Sequence, residues 1–125
     1  MPIPTEPIGS IPRPGWLLDG VEAFGGGEIS KAQLDELFDA AVSDTLEQFE
    51  ATGSPIVTDG EQRKPSFATY PIAGLDTLAP DGVPITFADG HVRQLPVITA
   101  GPFRYATHAD TYLELAQPLT ARPLK

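Results

Sequence analysis

The join near residue 53 constrains this chain more than any other feature, because a long helical pattern there runs almost directly into a β-branched segment. Ser30 is a good N-cap and Gln33, three residues on, completes a capping box. Leu34, Leu37, Phe38, Ala41, Val42, Thr45, Leu46 and Phe49 then recur at the i, i+3, i+4, i+7 spacing of one buried stripe. The acids Asp35, Glu36, Asp39, Asp44, Glu47 and Glu50 fall mainly outside it and form a solvated face. The spacing predicts a helix over 30–52, stopped by Gly53. Ile56-Val57-Thr58 follows as a short strand, with Asp59-Gly60-Glu61 at its C-terminal end. A helix feeding a strand across so short a connection is the joint of a βα unit, whose strands pair in parallel through right-handed crossovers.

The rest of the chain is read around that joint. Residues 4–14 hold too many prolines for a long central strand, so a short strand ending near Ser10 is expected. Residues 15–27 read as an irregular connection, with a helical turn at Trp16-Leu17-Leu18. Residues 64–84, with four prolines, read as a long loop of the kind that serves as a lid or binding loop. Ile85-Thr86-Phe87-Ala88 and His91-Val92-Arg93-Gln94 flank Asp89-Gly90, a two-residue hairpin signal. Residues 95–100 read as a further core strand and 108–117 as a second helix, capped by Thr107 and carrying Ala109, Tyr112, Leu113 and Ala116 on its apolar stripe. The order strand–helix–strand–hairpin–strand–helix defines an α/β chain with three parallel strands. Such a sheet leaves two open edges, which suggests a truncated chain.

Composition narrows the function classes. At 125 residues the chain is one domain or a piece of one. A formal charge of −9 argues against phosphate-driven nucleic-acid binding. The charge is uneven: residues 1–62 carry twelve acids and two bases, residues 63–125 five acids and six bases. No run approaches a membrane span and no signal-peptide pattern opens the chain, so a cytoplasmic setting is expected. With no cysteine, disulfides, thiolate metal sites and a Cys nucleophile are excluded within these residues.

Glu61 is the foremost candidate for chemistry. A carboxylate at the end of a parallel strand can hold an ammonium group or act as a base; it can equally be a loop acid paired with Arg63 or Lys64, and spacing does not separate these. At Ile8-Gly9-Ser10, a glycine at a strand end lets backbone N–H groups approach an anion and Ser10 adds a hydroxyl, although a tight turn would use the same residues. His91 and His108 are expected on the surface and have no partner at metal-ligand spacing. Gly25-Gly26-Gly27 follows no predicted strand and lacks the Lys-Ser/Thr of a phosphate loop. Phe103-Arg104-Tyr105 reads as a pocket wall or a loop anchor.

With these residues in view, the chain resembles the catalytic half of cobalamin-independent methionine synthase and its shorter stand-alone relatives. The matching stretches are 4–14, 52–62 (Thr-Gly-Ser-Pro-Ile-Val-Thr-Asp-Gly-Glu-Gln), 66–72 and 99–105. The resemblance implies the N-terminal part of a (βα)8 TIM barrel with a β-hairpin insertion, incomplete over 1–125 because a full barrel needs ~250 residues. It implies transfer of a methyl group, from a methylated folate in the full synthases, to a zinc-bound homocysteine thiolate. Ile8 and Ser10 match the segment that holds the homocysteine carboxylate, and Glu61 the glutamate that receives its ammonium group. Two departures stand out. Asp59 replaces the histidine that full synthases carry before Gly-Glu, and the family's zinc ligands (His, Glu and two Cys) come from strands beyond the region matched.

The leading expectation is therefore the N-terminal portion of a methionine-synthase-like methyltransferase. It would supply amino-acid-binding residues Ile8, Ser10 and Glu61 but no zinc ligands, be inactive alone, and be completed by further sequence or a companion polypeptide. The rival is a non-catalytic small-molecule-binding or interaction module. Hydrolysis by Glu61 with Asp59 or Asp89 ranks last, having no motif behind it.

Overall fold

The computed structural model describes residue 3 and residues 5–125. Two compact units are present: the described residues of Met1–Lys64 together with Asp110–Lys125, and Pro65–Ala109, which interrupts the first unit in sequence.

The first unit is built around two helices joined by a short turn. Helix α1 spans Gly15–Gly25 and starts from an extended Pro14. Sequence patterning expected only a helical turn here, because three glycines dilute its helix propensity. The helix forms because Leu17 (fully buried) and Gly20 lie one turn apart on a face that packs on α2. Helix α2 spans Lys31–Ala51 with the expected capping box: Ser30 Oγ accepts from the Gln33 backbone at 3.2 Å, and Gln33 Oε1 accepts from the Ser30 N–H at 2.9 Å. Its buried residues are Leu34, Ala41, Val42, Thr45 and Leu46, all from the expected stripe. Each large apolar side chain so buried is worth about 1.5–3 kcal/mol.

Val42 and Leu46 form one core cluster with Val57 and Ala116, flanked by Phe49 and Leu124. Val57 makes a single parallel bridge, to Leu124, closed by Val57 N–H to the Pro123 carbonyl at 3.0 Å and Lys125 N–H to the Val57 carbonyl at 2.9 Å. The parallel partner of the 56–58 run is therefore the segment at 124, not 95–100 as the sequence order suggested. Between the two bridge residues lies helix α3, Asp110–Ala116, which continues as a 3-10 turn over Gln117–Leu119. Residues 5–13 form no regular strand. Pro7, Pro12 and Pro14 lack the N–H groups a ladder needs. Pro4, part of the expected strand, lies outside the described residues.

The second unit holds an antiparallel hairpin. β1 is Val83–Thr86 and β2 is Val92–Leu95, in register Val83–Leu95, Pro84–Gln94, Ile85–Arg93 and Thr86–Val92. The expected hairpin is present with a longer connection. Phe87 N–H donates to the His91 carbonyl at 2.9 Å, and the three-residue loop ends on Gly90 at φ +87°, the left-handed position such loops require. Residues 95–100 are not a core strand. Pro96 ends β2, and the continuation pairs antiparallel at Leu78–Ile98 through Ala79 N–H to the Val97 carbonyl (2.8 Å) and Thr99 N–H to the Thr77 carbonyl (2.7 Å). From Pro65 on, the long 64–84 segment is thus part of a small unit of its own, with a 3-10 turn at Tyr70–Ile72.

Candidate functional site

The first unit brings the two candidate segments together. The Asp59–Lys64 turn leaves the Val57 bridge and folds over the N-terminal segment. Thr58 Oγ1 accepts from Gly60 N–H at 3.4 Å, and Asp59 Oδ1 accepts from Glu61 N–H at 2.9 Å. These bonds hold Gly60 at φ +66° and Glu61 at φ +57°. The left-handed region costs a non-glycine residue about 1–2 kcal/mol. Gly60 is required on a second count: a Cβ there would stand 2.7 Å from Ile11 Cγ1 and 2.9 Å from Thr45 Cγ2. Its missing side chain lets α2, the turn and the N-terminal segment meet, and Ile11 N–H donates to the Gly60 carbonyl at 3.1 Å.

Two further side chains fix this meeting. Arg13 spans from the N-terminal segment to the turn, donating from Nε to the Gln62 carbonyl at 2.9 Å, from Nη2 to the Glu61 carbonyl at 3.2 Å, and to the Lys64 carbonyl. Gln62 is fully buried, and its Nε2 donates to the carbonyls of Ile11 at 3.2 Å and Gly60 at 3.3 Å. Among the described residues its Oε1 has no hydrogen-bond partner. Neither residue carried a sequence signal of its own, although the prolines on both sides of Arg13 mark a backbone held rigid.

Within this frame Gly9 faces Glu61. A Cβ built on Gly9, whose φ is +155°, would lie 3.7 Å from Glu61 Oε1. The Ile8 side chain is 97% exposed and Ser10 is exposed. Glu61 also lies 3.6 Å from Lys64 Nζ, with its side chain 24% exposed. Of the two loop partners considered for Glu61, Lys64 is the one present. Arg63 turns away to Asp39 and, at 3.7 Å, Asp35 on α2, with its guanidinium 5.5 Å from the Phe38 ring centre. The arrangement is a part-exposed carboxylate opposite an open stretch of backbone, which suits a small molecule bearing both a positive and a negative group.

His91 and His108 belong to the second unit and are exposed. The His91 ring stacks on Phe87 with centroids 4.4 Å apart, and His108 meets Tyr105 edge-on at 6.0 Å. Among the described residues no three metal-ligating side chains converge. The chain has no cysteine and, among the described residues, no cluster of His, Asp and Glu, so these residues do not supply a zinc-ligand set.

The fold and site define a mixed α/β protein, with three helices and a two-stranded antiparallel sheet among the described residues, that places a carboxylate against a glycine-containing backbone segment. No protein-family model matches the chain. Curated relatives do. Over 68 residues, 54% of this chain, it is 40% identical to the methionine synthase of Sulfurisphaera tokodaii, 37% to that of Saccharolobus islandicus and 32% to that of Sulfolobus acidocaldarius. The chain is thus similar, over about half its length, to proteins of the methionine synthase family, as its motifs indicated. The match spans about a fifth of each relative's own length (20%). No helix among the described residues is long and apolar enough to cross a membrane.

Proposed function

We propose that the first unit is an amino-acid cradle from the opening arc of a (βα)8 barrel in a methionine-synthase-like methyltransferase. Its ligand is homocysteine or a close relative. The observation that carries the reading is the approach of Gly9 to Glu61 Oε1, because the two segments assigned to the opposite charges of one amino acid stand side by side. The ligand carboxylate lies along the backbone of Ile8, Gly9 and Ser10, where the Ser10 hydroxyl offers a donor. The ammonium group meets Glu61, a charge-assisted contact. Lys64 Nζ lies 3.6 Å from the same Oε1, so the ligand ammonium shares that carboxylate with Lys64. The parallel pairing of Val57 with Leu124, with α3 between them in sequence, supports the barrel topology.

The acceptor thiol and the methylated folate donor belong to the chemistry of the whole enzyme. Zinc would activate the thiol there, and its ligands would come from further sequence or from a companion polypeptide that completes the barrel.

Calorimetric titration of the chain with homocysteine tests the cradle, with 4-mercaptobutanoate, which lacks the ammonium group, as the comparison. Binding of homocysteine alone, lost in Glu61→Gln, is the expected result. Equal binding of the two compounds, or an unchanged affinity in Glu61→Gln, overturns the assignment. The non-catalytic binding module makes the same ligand prediction but requires that no added polypeptide confer methyl transfer.

A further inference from the structure

The second unit carries a cleft of about 470 Å³ between the Pro65–Thr69 segment and one face of the hairpin. That face is set by register: Ile85 lies opposite Arg93 and Val83 opposite Leu95, with Phe87 continuing the row. Ile85, Phe87 and Leu95 line the cleft with Phe67, and their exposures of 40%, 45%, 43% and 70% leave four large apolar side chains uncovered in one concavity. Pockets of this size, mostly apolar with a few convergent polar groups, are the usual form of small-molecule sites.

Arg93 is the group that gives the cleft a chemical preference. It stands among apolar neighbours on the hairpin face and lines the cleft, and its guanidinium makes no ion pair, hydrogen bond or ring contact among the described residues. A guanidinium presents parallel donors matched to a carboxylate. Ser66 adds a hydroxyl group to the same lining. Phe67 and Phe87 offer ring surfaces on which a flat body can stack.

We propose that this cleft binds a small aryl carboxylate, its acid group paired with Arg93 and its ring held by Phe67 and Phe87. The site lies wholly within the second unit and does not depend on the amino-acid cradle of the first.

Amide-resolved NMR titration of the full chain with 3-phenylpropanoate tests it, with 3-phenylpropan-1-ol and 3-phenylpropylamine as charge controls. Saturable shifts at Phe67, Phe87 and Arg93 are expected, with affinity falling from acid to alcohol to amine. Arg93→Gln should weaken the acid about tenfold or more, the loss expected for a charge-assisted hydrogen bond. Arg93→Lys should recover part of it, because the charge remains and the fork is lost. Both variants alter an exposed side chain, and their spectra away from the cleft report that the unit is intact. The proposal is overturned if no saturable shift occurs, if the amine or alcohol binds as tightly as the acid, or if Arg93→Gln leaves the affinity unchanged.

Discussion

Gly60→Ala isolates what brings the turn and the N-terminal segment together. Gly60 sits at φ +66°, where an alanine costs about 1–2 kcal/mol. The new methyl would also stand 2.7 Å from Ile11 Cγ1 and 2.9 Å from Thr45 Cγ2. Both neighbours are held: Thr45 is 2% exposed on α2, and Ile11 is tied by its own N–H to the Gly60 carbonyl. Overpacking of this kind adds about 1–3 kcal/mol, so the sum is about 2–5 kcal/mol. Gly53→Ala is the internal control, since Gly53 has φ +79° and, among the described residues, nothing within 4 Å of its would-be Cβ. That variant bears the backbone strain alone, about 1–2 kcal/mol. Urea unfolding followed by fluorescence of Trp16, the chain's single tryptophan, reports on the first unit because Trp16 lies on α1. The steric part should be partly relieved in the Ile11→Ala/Gly60→Ala double variant, as a coupling of about 1 kcal/mol or more between residues in contact. If Gly60→Ala is no more destabilising than Gly53→Ala, and Ile11→Ala adds independently to it, the close approach is not a determinant of this fold.

Two other positions test the same junction. Arg13→Ala removes donors to the carbonyls of Glu61, Gln62 and Lys64 and should cost about 2–4 kcal/mol, with Arg13→Lys recovering only a minor part because an ammonium cannot span three carbonyls; thermal melts of the three proteins check this. Gln62→Glu replaces a fully buried amide that donates to two carbonyls with a carboxylate facing them, and should cost about 3–5 kcal/mol at neutral pH. A melting temperature for Gln62→Glu within a few degrees of the parent would show that Gln62 is not enclosed as described.

What could be read from the sequence followed the strength of local signals. Helix α2 was legible because its cap, its stripe and its stop agree, and every residue it buries lies on that stripe. Helix α1 was obscured because propensity disfavours its glycines, whereas tertiary contact with α2 rewards a small residue at Gly20. The hairpin was legible from Asp89-Gly90, but the bond between Phe87 and His91 moved both strands outward from the expected positions. Residues 95–100, expected as a third parallel strand, pair antiparallel at Leu78–Ile98 instead, and the parallel partner of Val57 is Leu124. Residues 95–100 look more strand-like than 122–125, but parallel partners are chosen by long-range packing against Val57, which no local pattern encodes.

The candidate site shows the same division between residue type and placement. Glu61 and the Ile8-Gly9-Ser10 segment were identified as types suited to opposite charges, 50 or so positions apart. What brings the two segments together is a set of hydrogen bonds to main-chain carbonyls: Arg13 and the Ile11 N–H donate to carbonyls on the turn, and Gln62 donates to those of Ile11 and Gly60. Arg13 and Gln62 do this through hydrogen bonds to main-chain carbonyls, and main-chain atoms are the same in every sequence. The strain at Glu61, a non-glycine residue at φ +57°, belongs to this set as well. The Asp59 carboxylate accepts the Glu61 N–H and thereby pins the conformation that turns Glu61 toward Gly9. A residue at position 59 must therefore accept a hydrogen bond at short reach from its own backbone, which an aspartate does and a longer side chain does poorly. The choice of Asp59 is in this way part of how the turn aims its carboxylate, although the side chain itself is buried behind it.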